Sequence, residues 1–182
     1  MANKVQTVVL RGEAMYAKVL GDPILNFNKD GKEWKLDFKL ADKNSVKELK
    51  ELGIEDRVKT KENYLDGEPY LTFKQAEFRK DGVTPNYPIK VVDIKGNSWD
   101  QEKLIGNGSK VDVKFVIMDF GPGKKKGVYI RSIRVLDLVP YEKNDFPEID
   151  ENDEFFDNLP KEEEIHKEDA AFVEDLNDDV PL

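Results

Sequence analysis

Two segments of the chain set aromatic rings and cations at alternating positions, and any chemistry has to start there. In "EPYLTFKQAEFRK", Tyr70, Thr72, Lys74, Ala76 and Phe78 share one side of an extended strand while Leu71 and Phe73 take the other. In "GVYIRS", Tyr129 and Arg131 share the outer side, and Val128 and Ile130 the inner. A ring offers a face for an unpaired base, and a neighbouring cation meets a phosphate; together they serve sequence-tolerant binding of a single nucleic-acid strand. Lys114 takes a similar outward position beside Phe115, Trp34 near a strand start and the outward Lys35 are further candidates, and Lys59, Lys61, Arg79 and Lys80 with the loop lysines Lys124, Lys125 and Lys126 extend the charge. The candidate interface is therefore Trp34, Lys35, Lys59, Lys61, Tyr70, Lys74, Arg79, Lys114, Lys125, Tyr129 and Arg131. Trp34 also falls in register with Leu36, Phe38 and Leu40, so it reads equally as core; Phe38, Phe73 and Phe115 read as core first.

Other chemistries are poorly provided for. The single histidine, His166, lies far from the strand-forming segments, and there are no cysteines, so neither a Ser-His-Asp triad nor a histidine or thiolate metal site can be assembled in the body. Asp112 and Asp119, with Asp93 or Asp137, are the residues a magnesium-dependent nuclease would need, but Asp112 alternates with Val111 and Val113 as an outward strand residue does. "GPGKKKG" lacks the spacing of a phosphate loop and reads as a lysine-bearing hairpin tip. No catalytic residue, metal or cofactor is expected.

The elements that must position the rings and cations are mostly strands. Period-two alternation recurs through residues 1–141, with turn residues between. "KVQTVVLRGEAMYAKVL" predicts a long first strand that bends near Gly12, and "KEWKLDFKLA" a second with Trp34, Leu36, Phe38 and Leu40 on one face. "NSVKELKELGI" predicts a short helix, with Ser45 three residues before Glu48 as a capping box and Gly53 as its stop. "RVKTKENYL", "EPYLTFKQAEF", "IKVVDIKG", "SKVDVKFVIMDF" and "GVYIRSIRVLDLVPY" follow as strands, with a small helical turn near "SWDQEKL". An all-β domain of this kind suits an OB-fold, a five- to six-stranded Greek-key barrel with one or two short helices, because closure removes aggregation-prone edges. The pattern alone leaves an immunoglobulin-like sandwich open.

Charge divides the chain in two. Residues 142–182 hold 17 acidic and 3 basic side chains, net -14, which leaves 26 basic and 21 acidic side chains, net +5, for residues 1–141. A basic body with an acidic extension commonly marks nucleic-acid binding or an interaction tail. Low hydrophobicity and high charge predict a disordered tail, dotted with Phe146, Phe155, Phe156 and Phe172 as docking anchors. A flexible chain of this length reaches roughly 35 Å, against a radius of gyration of about 14 Å for the body. The tail is thus able to compete for its own domain's basic surface at an effective concentration in the millimolar range. The chain has no apolar run of membrane-spanning length, and its first residues alternate apolar and polar side chains, so a cytosolic protein is expected.

The tip "NDDVPL" is similar to the acidic D-D-x-P-hydrophobic ending of bacterial single-stranded DNA-binding proteins, with Asp178, Asp179, Val180, Pro181 and Leu182 in matching places. Leu182 stands where that ending usually has phenylalanine. The layout as a whole, with "IGNGSKVDVKF" and "GVYIRSIRVLDLVPYE" ahead of an acidic tail, resembles phage-encoded single-stranded DNA-binding proteins. The resemblance implies an OB-fold and protection of exposed DNA strands during replication, recombination and repair in the cytoplasm of a host cell. It also implies recruitment of polymerase, primase-helicase or nuclease through the tail, by way of Phe172 and the tip. Two other readings stand beside it: a single-strand RNA-binding OB protein, and an acidic-tailed interaction adaptor.

Overall fold

The computed structural model describes residues 4–141; the expected tail, 142–182, with Phe172, Asp178, Asp179, Val180, Pro181 and Leu182, lies outside the described residues. The spine of the sheet is β1 (Lys4–Lys18), whose alternation buries Val8, Leu10, Gly12 and Ala14. Fifteen residues are long enough to serve two partners. Lys4 to Ala14 pair with β6 (Ser109–Asp119), and Gly12 to Lys18 with β3 (Lys32–Leu40), both antiparallel. The handover falls at Gly12, where a Cβ would sit 2.2 Å from the Lys39 carbonyl oxygen and 2.7 Å from the Phe38 ring. Only glycine lets the strands cross that closely.

Beyond β3 lies β4 (Tyr70–Ala76) and beyond β6 lies β7 (Gly127–Asp137), again antiparallel, so the long strands follow the path β4-β3-β1-β6-β7. The two ends of this path, β4 and β7, curl back into contact. One continuous sheet closing on itself along a β4–β7 seam is an OB-fold, and it displaces the sandwich, which needs two stacked sheets. Two short strands decorate the edges: β2 (Ile24–Leu25) on β3, and β5 (Lys90–Val92) parallel to β7. The interior holds Leu36, Phe38, Val111, Val113, Phe115, Ile130 and Ile133, with Phe73 bridging Phe38 and Phe115 at ring-centroid distances of 6.1 and 5.3 Å.

The helix α1 (Lys43–Glu51) follows β3 and buries Leu49. Its cap is Asp42, whose carboxylate accepts the Ser45 backbone N–H, rather than Ser45 itself. Gly53 closes the helix in the left-handed region, φ 73°, with Gly53 N–H bonding to Lys50 and Ile54 N–H to Leu49. "RVKTKENYL" is not a strand. It contains one backbone pair with β4, Lys59 with Tyr70, and then coils through short turns in which Leu65 and Asp66 take positive φ. The stretch near "SWDQEKL" forms a hydrogen-bonded turn, Lys103 N–H to the Asp100 carbonyl, instead of a helix. No helix among the described residues is long and apolar enough to cross a membrane.

Candidate nucleic-acid interface

The seam between β4 and β7 is where the sheet leaves side chains unpaired, and a groove of about 590 Å³ runs along it. Lys74 enters from β4, Tyr129 and Arg131 from β7, and Lys90 from β5. The fourth wall is a hairpin that prolongs β4. Glu77 N–H bonds to Lys32, Asn86 N–H to Glu77 and Arg79 N–H to Thr84, which carries Phe78, Arg79, Lys80 and Tyr87 to the groove. Its tip is held by Asp81, which accepts the backbone N–H of Val83 and Thr84 and the Thr84 hydroxyl. Those bonds, the Thr84 hydroxyl foremost, hold the Asp81 carboxyl down at about 2. The Gln75 amide donates to the Tyr87 carbonyl at 2.6 Å and ties the returning limb to β4.

Among the described residues the lining therefore contains five cations, three rings and no carboxylate. Lys74 is partly committed, its Nζ 3.4 Å from Glu33, whereas Arg79, Lys80, Lys90 and Arg131 form no ion pair among the described residues. Two local features set the β7 side chains. A bulge between Lys114 and Phe115 of β6 leaves Arg131 without an opposing residue, between the pairs Lys114 with Ser132 and Phe115 with Ile130. The Tyr129 ring lies against Gly127, where a Cβ would come within 2.6 Å of it, and the side chain stays 41% exposed. One side of the ring is fixed by backbone and the rest is open, as a stacking platform requires.

Of the candidate interface residues, Lys74, Arg79, Tyr129 and Arg131 come together in this groove, joined by Phe78 and Lys80, which the sequence also singled out. Two need correction. Tyr70 points away from Leu71 as its period demands, yet it is only 3% exposed, because Tyr64 from the preceding coil roofs it, the two rings edge to face at 5.1 Å. Trp34 is 5% exposed and its indole N–H donates to the Gly21 carbonyl, so it belongs to the core beneath the β1–β3 connection. Neither ring is available to a base. Lys35 lies on β3 directly opposite Lys74 on one side and Lys18 on the other. Lys59 and Lys61 sit on the coil that covers Tyr70, Lys61 5.9 Å from the Tyr64 ring. Lys125 faces Asp56 at 3.7 Å in the β6–β7 loop, and Lys114 lies outward on β6.

Sequence reasoning missed Tyr87 and Lys90. Tyr87 is 81% exposed and sits between Pro85 and Pro88, and an aromatic displayed on a proline-stiffened limb was the available signal. A second hollow, about 490 Å³, lies beside Trp99 and Ile94, but Asp93 and Asp137 line it with Lys95 as the one cation among the described residues, so it repels a polyanion. Asp112, read as a solvated strand residue, is outward but nearly buried between Arg11 and Arg134. Among the described residues no cluster of three His, Cys, Asp or Glu side chains is placed to hold a metal ion.

No family model matches the sequence. No curated protein matches it either. Among solved structures, the chain is similar to the single-stranded DNA-binding protein from bacteriophage Enc34, at 10% identity over 82% of this chain and 89% of that one, TM-score 0.50. The same protein in complex with ssDNA matches at 10% identity over 75% and 89%, TM-score 0.51. gp2.5, a single-stranded DNA-binding protein encoded by bacteriophage T7, aligns over 88% of this chain and 97% of its own at 19% identity, TM-score 0.48. At such identities the likeness to the Enc34 structures is one of fold, and it agrees with the sheet path described above.

Proposed function

We propose that the chain binds single-stranded DNA without sequence preference and is not an enzyme. The observation that carries this reading is the seam groove, where four cations that form no ion pair among the described residues converge with three rings, and none of the described lining residues is a carboxylate. Cations neutralise phosphates and rings stack on any base, so affinity accrues without readout of base edges. That the Enc34 protein of the same fold has been captured with ssDNA supports the choice of ligand.

In this reading Lys74, Arg79, Tyr129 and Arg131 contact the strand in the groove, with Phe78, Tyr87 and Lys90 added. Lys35, Lys59, Lys61, Lys114 and Lys125 extend the positive surface around it. Residues 142–182 act as a regulatory acidic tail that competes with DNA for the groove. Once displaced, the tail offers Phe172 and the tip Asp178 to Leu182 to polymerase, primase-helicase or nuclease. The protein then protects and organises exposed strands in phage DNA replication, recombination and repair, in the host cytoplasm.

The test is equilibrium binding of labelled DNA and RNA oligonucleotides of one sequence, and of unrelated DNA sequences, to the full chain and to a chain ending at 141. The expected result is DNA binding that is indifferent to sequence, falls steeply with salt and tightens when the tail is removed. A preference for RNA would assign the groove to RNA instead, since a 2′-hydroxyl would then be sensed. Failure to bind either polymer would leave the adaptor reading. Unchanged or weaker binding by the shortened chain would remove the competition model alone.

A further inference from the structure

The outward positions of β1, β6 and β7 fall in transverse rows, and their charge changes abruptly from row to row. Tyr129 stands in line with Val116 and Thr7. In the next row Lys114 lies between Ser132 and Val9, and in the one after it Asp112 lies between Arg134 and Arg11. The following row, Glu13, Lys110 and Asp137, is net acidic and ends the run.

Asp112 holds two guanidiniums at once. Arg11 reaches it with Nε to Oδ1 at 2.8 Å and Nη2 to Oδ2 at 3.2 Å, and Arg134 with Nε to Oδ2 at 3.5 Å. One carboxylate cannot neutralise two arginines, so the cluster keeps a positive charge. Its acidic member is 7% exposed while the Arg11 and Arg134 side chains are 69% and 47% exposed. The carboxylate thus orients the two forks and leaves their remaining N–H groups facing outward, the arrangement that suits a phosphate. Beside them Lys114 forms no ion pair among the described residues. A hollow of about 140 Å³ opens here between Lys114, Ser132, Arg134, the arginine-paired Asp112 and the turn at Gly96, with Val9, 50% exposed, as an apolar floor.

We propose that Lys114, Arg134 and Arg11 form a second phosphate station for the same strand. This rests on the reading of the seam groove as a single-strand site and extends it. The strand leaves the groove beyond Arg131 and Lys90 and runs along the outer side of β7 to the Arg11–Asp112–Arg134 cluster. Arg134 lies three strand positions beyond Arg131, roughly 10 Å. An oligonucleotide that only fills the groove does not reach the second station, and a longer one does.

Labelled oligothymidines of graded length, titrated into the full chain at several salt concentrations, test this. Arg134→Gln and Lys114→Gln are the informative changes, because Arg11 keeps Asp112 paired in both; thermal unfolding verifies the fold, and Arg134→Lys checks that charge is what matters. Arg134→Gln alone should bind short oligomers as the wild type does, while the double variant shows the larger effect on long ones. For long oligomers its log K against log salt slope should be shallower by about 1.4, two lost contacts at roughly 0.7 each. If long oligomers bind the double variant with unchanged affinity and slope while Lys90→Gln with Arg131→Gln weakens them, the second station is refuted and the groove reading survives. Equal weakening at every length also refutes a separate station. A wild-type chain that binds no oligomer of any length sinks the groove reading and the station with it.

Discussion

Neutralising Lys90 and Arg131 should change how binding depends on salt, whereas removing the Tyr129 ring should change only its strength. Among the described residues the groove holds four cations that form no ion pair, Arg79, Lys80, Lys90 and Arg131; the fifth, Lys74, is shared with Glu33 at 3.4 Å. If each of the four neutralises one phosphate of a strand confined to the groove, log K falls by about 2.8 per decade of salt. Lys90→Gln with Arg131→Gln halves that to about 1.4, so a tenfold rise in salt costs about 25-fold in affinity instead of about 600-fold. Tyr129→Ala removes one stacking platform worth about 1–3 kcal/mol, or roughly 5- to 150-fold, at every salt concentration and with the wild-type slope. Fluorescence anisotropy of a short labelled oligothymidine, measured from low to moderate salt, separates the two effects. Ile94→Ser, in the carboxylate-lined hollow, is the control and should do neither. An unaltered slope in the double charge variant, or a Tyr129→Ala variant whose loss vanishes at high salt, would refute the division of labour between cations and ring. Intrinsic tryptophan fluorescence is a poor substitute, because Trp34 is buried and Trp99 lines the other hollow.

Three further outcomes follow from the same geometry. Gly127→Ala adds a methyl group 2.6 Å from the Tyr129 ring, so the ring must swing off its platform; oligonucleotide affinity should drop towards that of Tyr129→Ala with the melting temperature little changed. Asp81→Ala removes three hydrogen bonds that shape the hairpin tip bearing Arg79 and Lys80, and binding should weaken with faster amide exchange confined to 77–88. Because the Asp81 carboxyl lies near 2, below its unfolded value, its contribution is complete above about pH 4 and is lost only as pH falls through 2; loss of hairpin protection already at pH 5 would contradict this. Tyr64→Phe deletes the hydroxyl that donates to the buried Asp37 carboxylate, which Thr72 also serves at 2.8 Å, and should cost about 1.5–3 kcal/mol at neutral pH. Burial, then Asp37, raises the Tyr64 phenol above its usual value, so the wild-type advantage is full below about pH 10 and declines above it; parallel alkaline unfolding curves for the two chains would overturn the assignment.

How much of this was legible depends on whether a property is local in the chain. Side-chain period sorted Leu36 and Phe38 from Lys35 and Lys39, and Ile130 from Tyr129 and Arg131, because a strand buried on one face imposes alternation on its own sequence. The same period put Tyr70 on the outer side of β4, which is where it lies. What covers that side is Tyr64, which stacks in turn on Tyr16 at 5.8 Å, and no alternation within either segment encodes a roof supplied by another. Trp34 failed for a related reason: its partner, the Gly21 carbonyl, belongs to a connection whose path only the folded sheet defines. The helix cap shows a different ambiguity, since Asp42 and Ser45 are both capping residues spaced three apart, and the choice between them is set by where β3 releases the chain.

The seam itself was out of reach of any strand-by-strand reading, and it decides the site. Lys74 and Arg131 are 57 residues apart, and they meet only because β4 and β7 are the two ends of one curled path. A ring of strands that stops short of a full ladder leaves a trough whose walls are side chains from both ends, so cations scattered along the sequence become a line without any motif to announce them. The hairpin at 77–88 then deepens the trough, and the position of Tyr87 follows from the hydrogen bond that anchors its carbonyl to Gln75. Breaking that tie with Gln75→Ala, which removes no ring and no cation and keeps the Asn86 amide bond to the Ala76 carbonyl, should therefore let Tyr87 shift and weaken oligonucleotide binding while preserving its salt slope. If it does not, Tyr87 is a bystander and the groove binds through β7 and β5 alone.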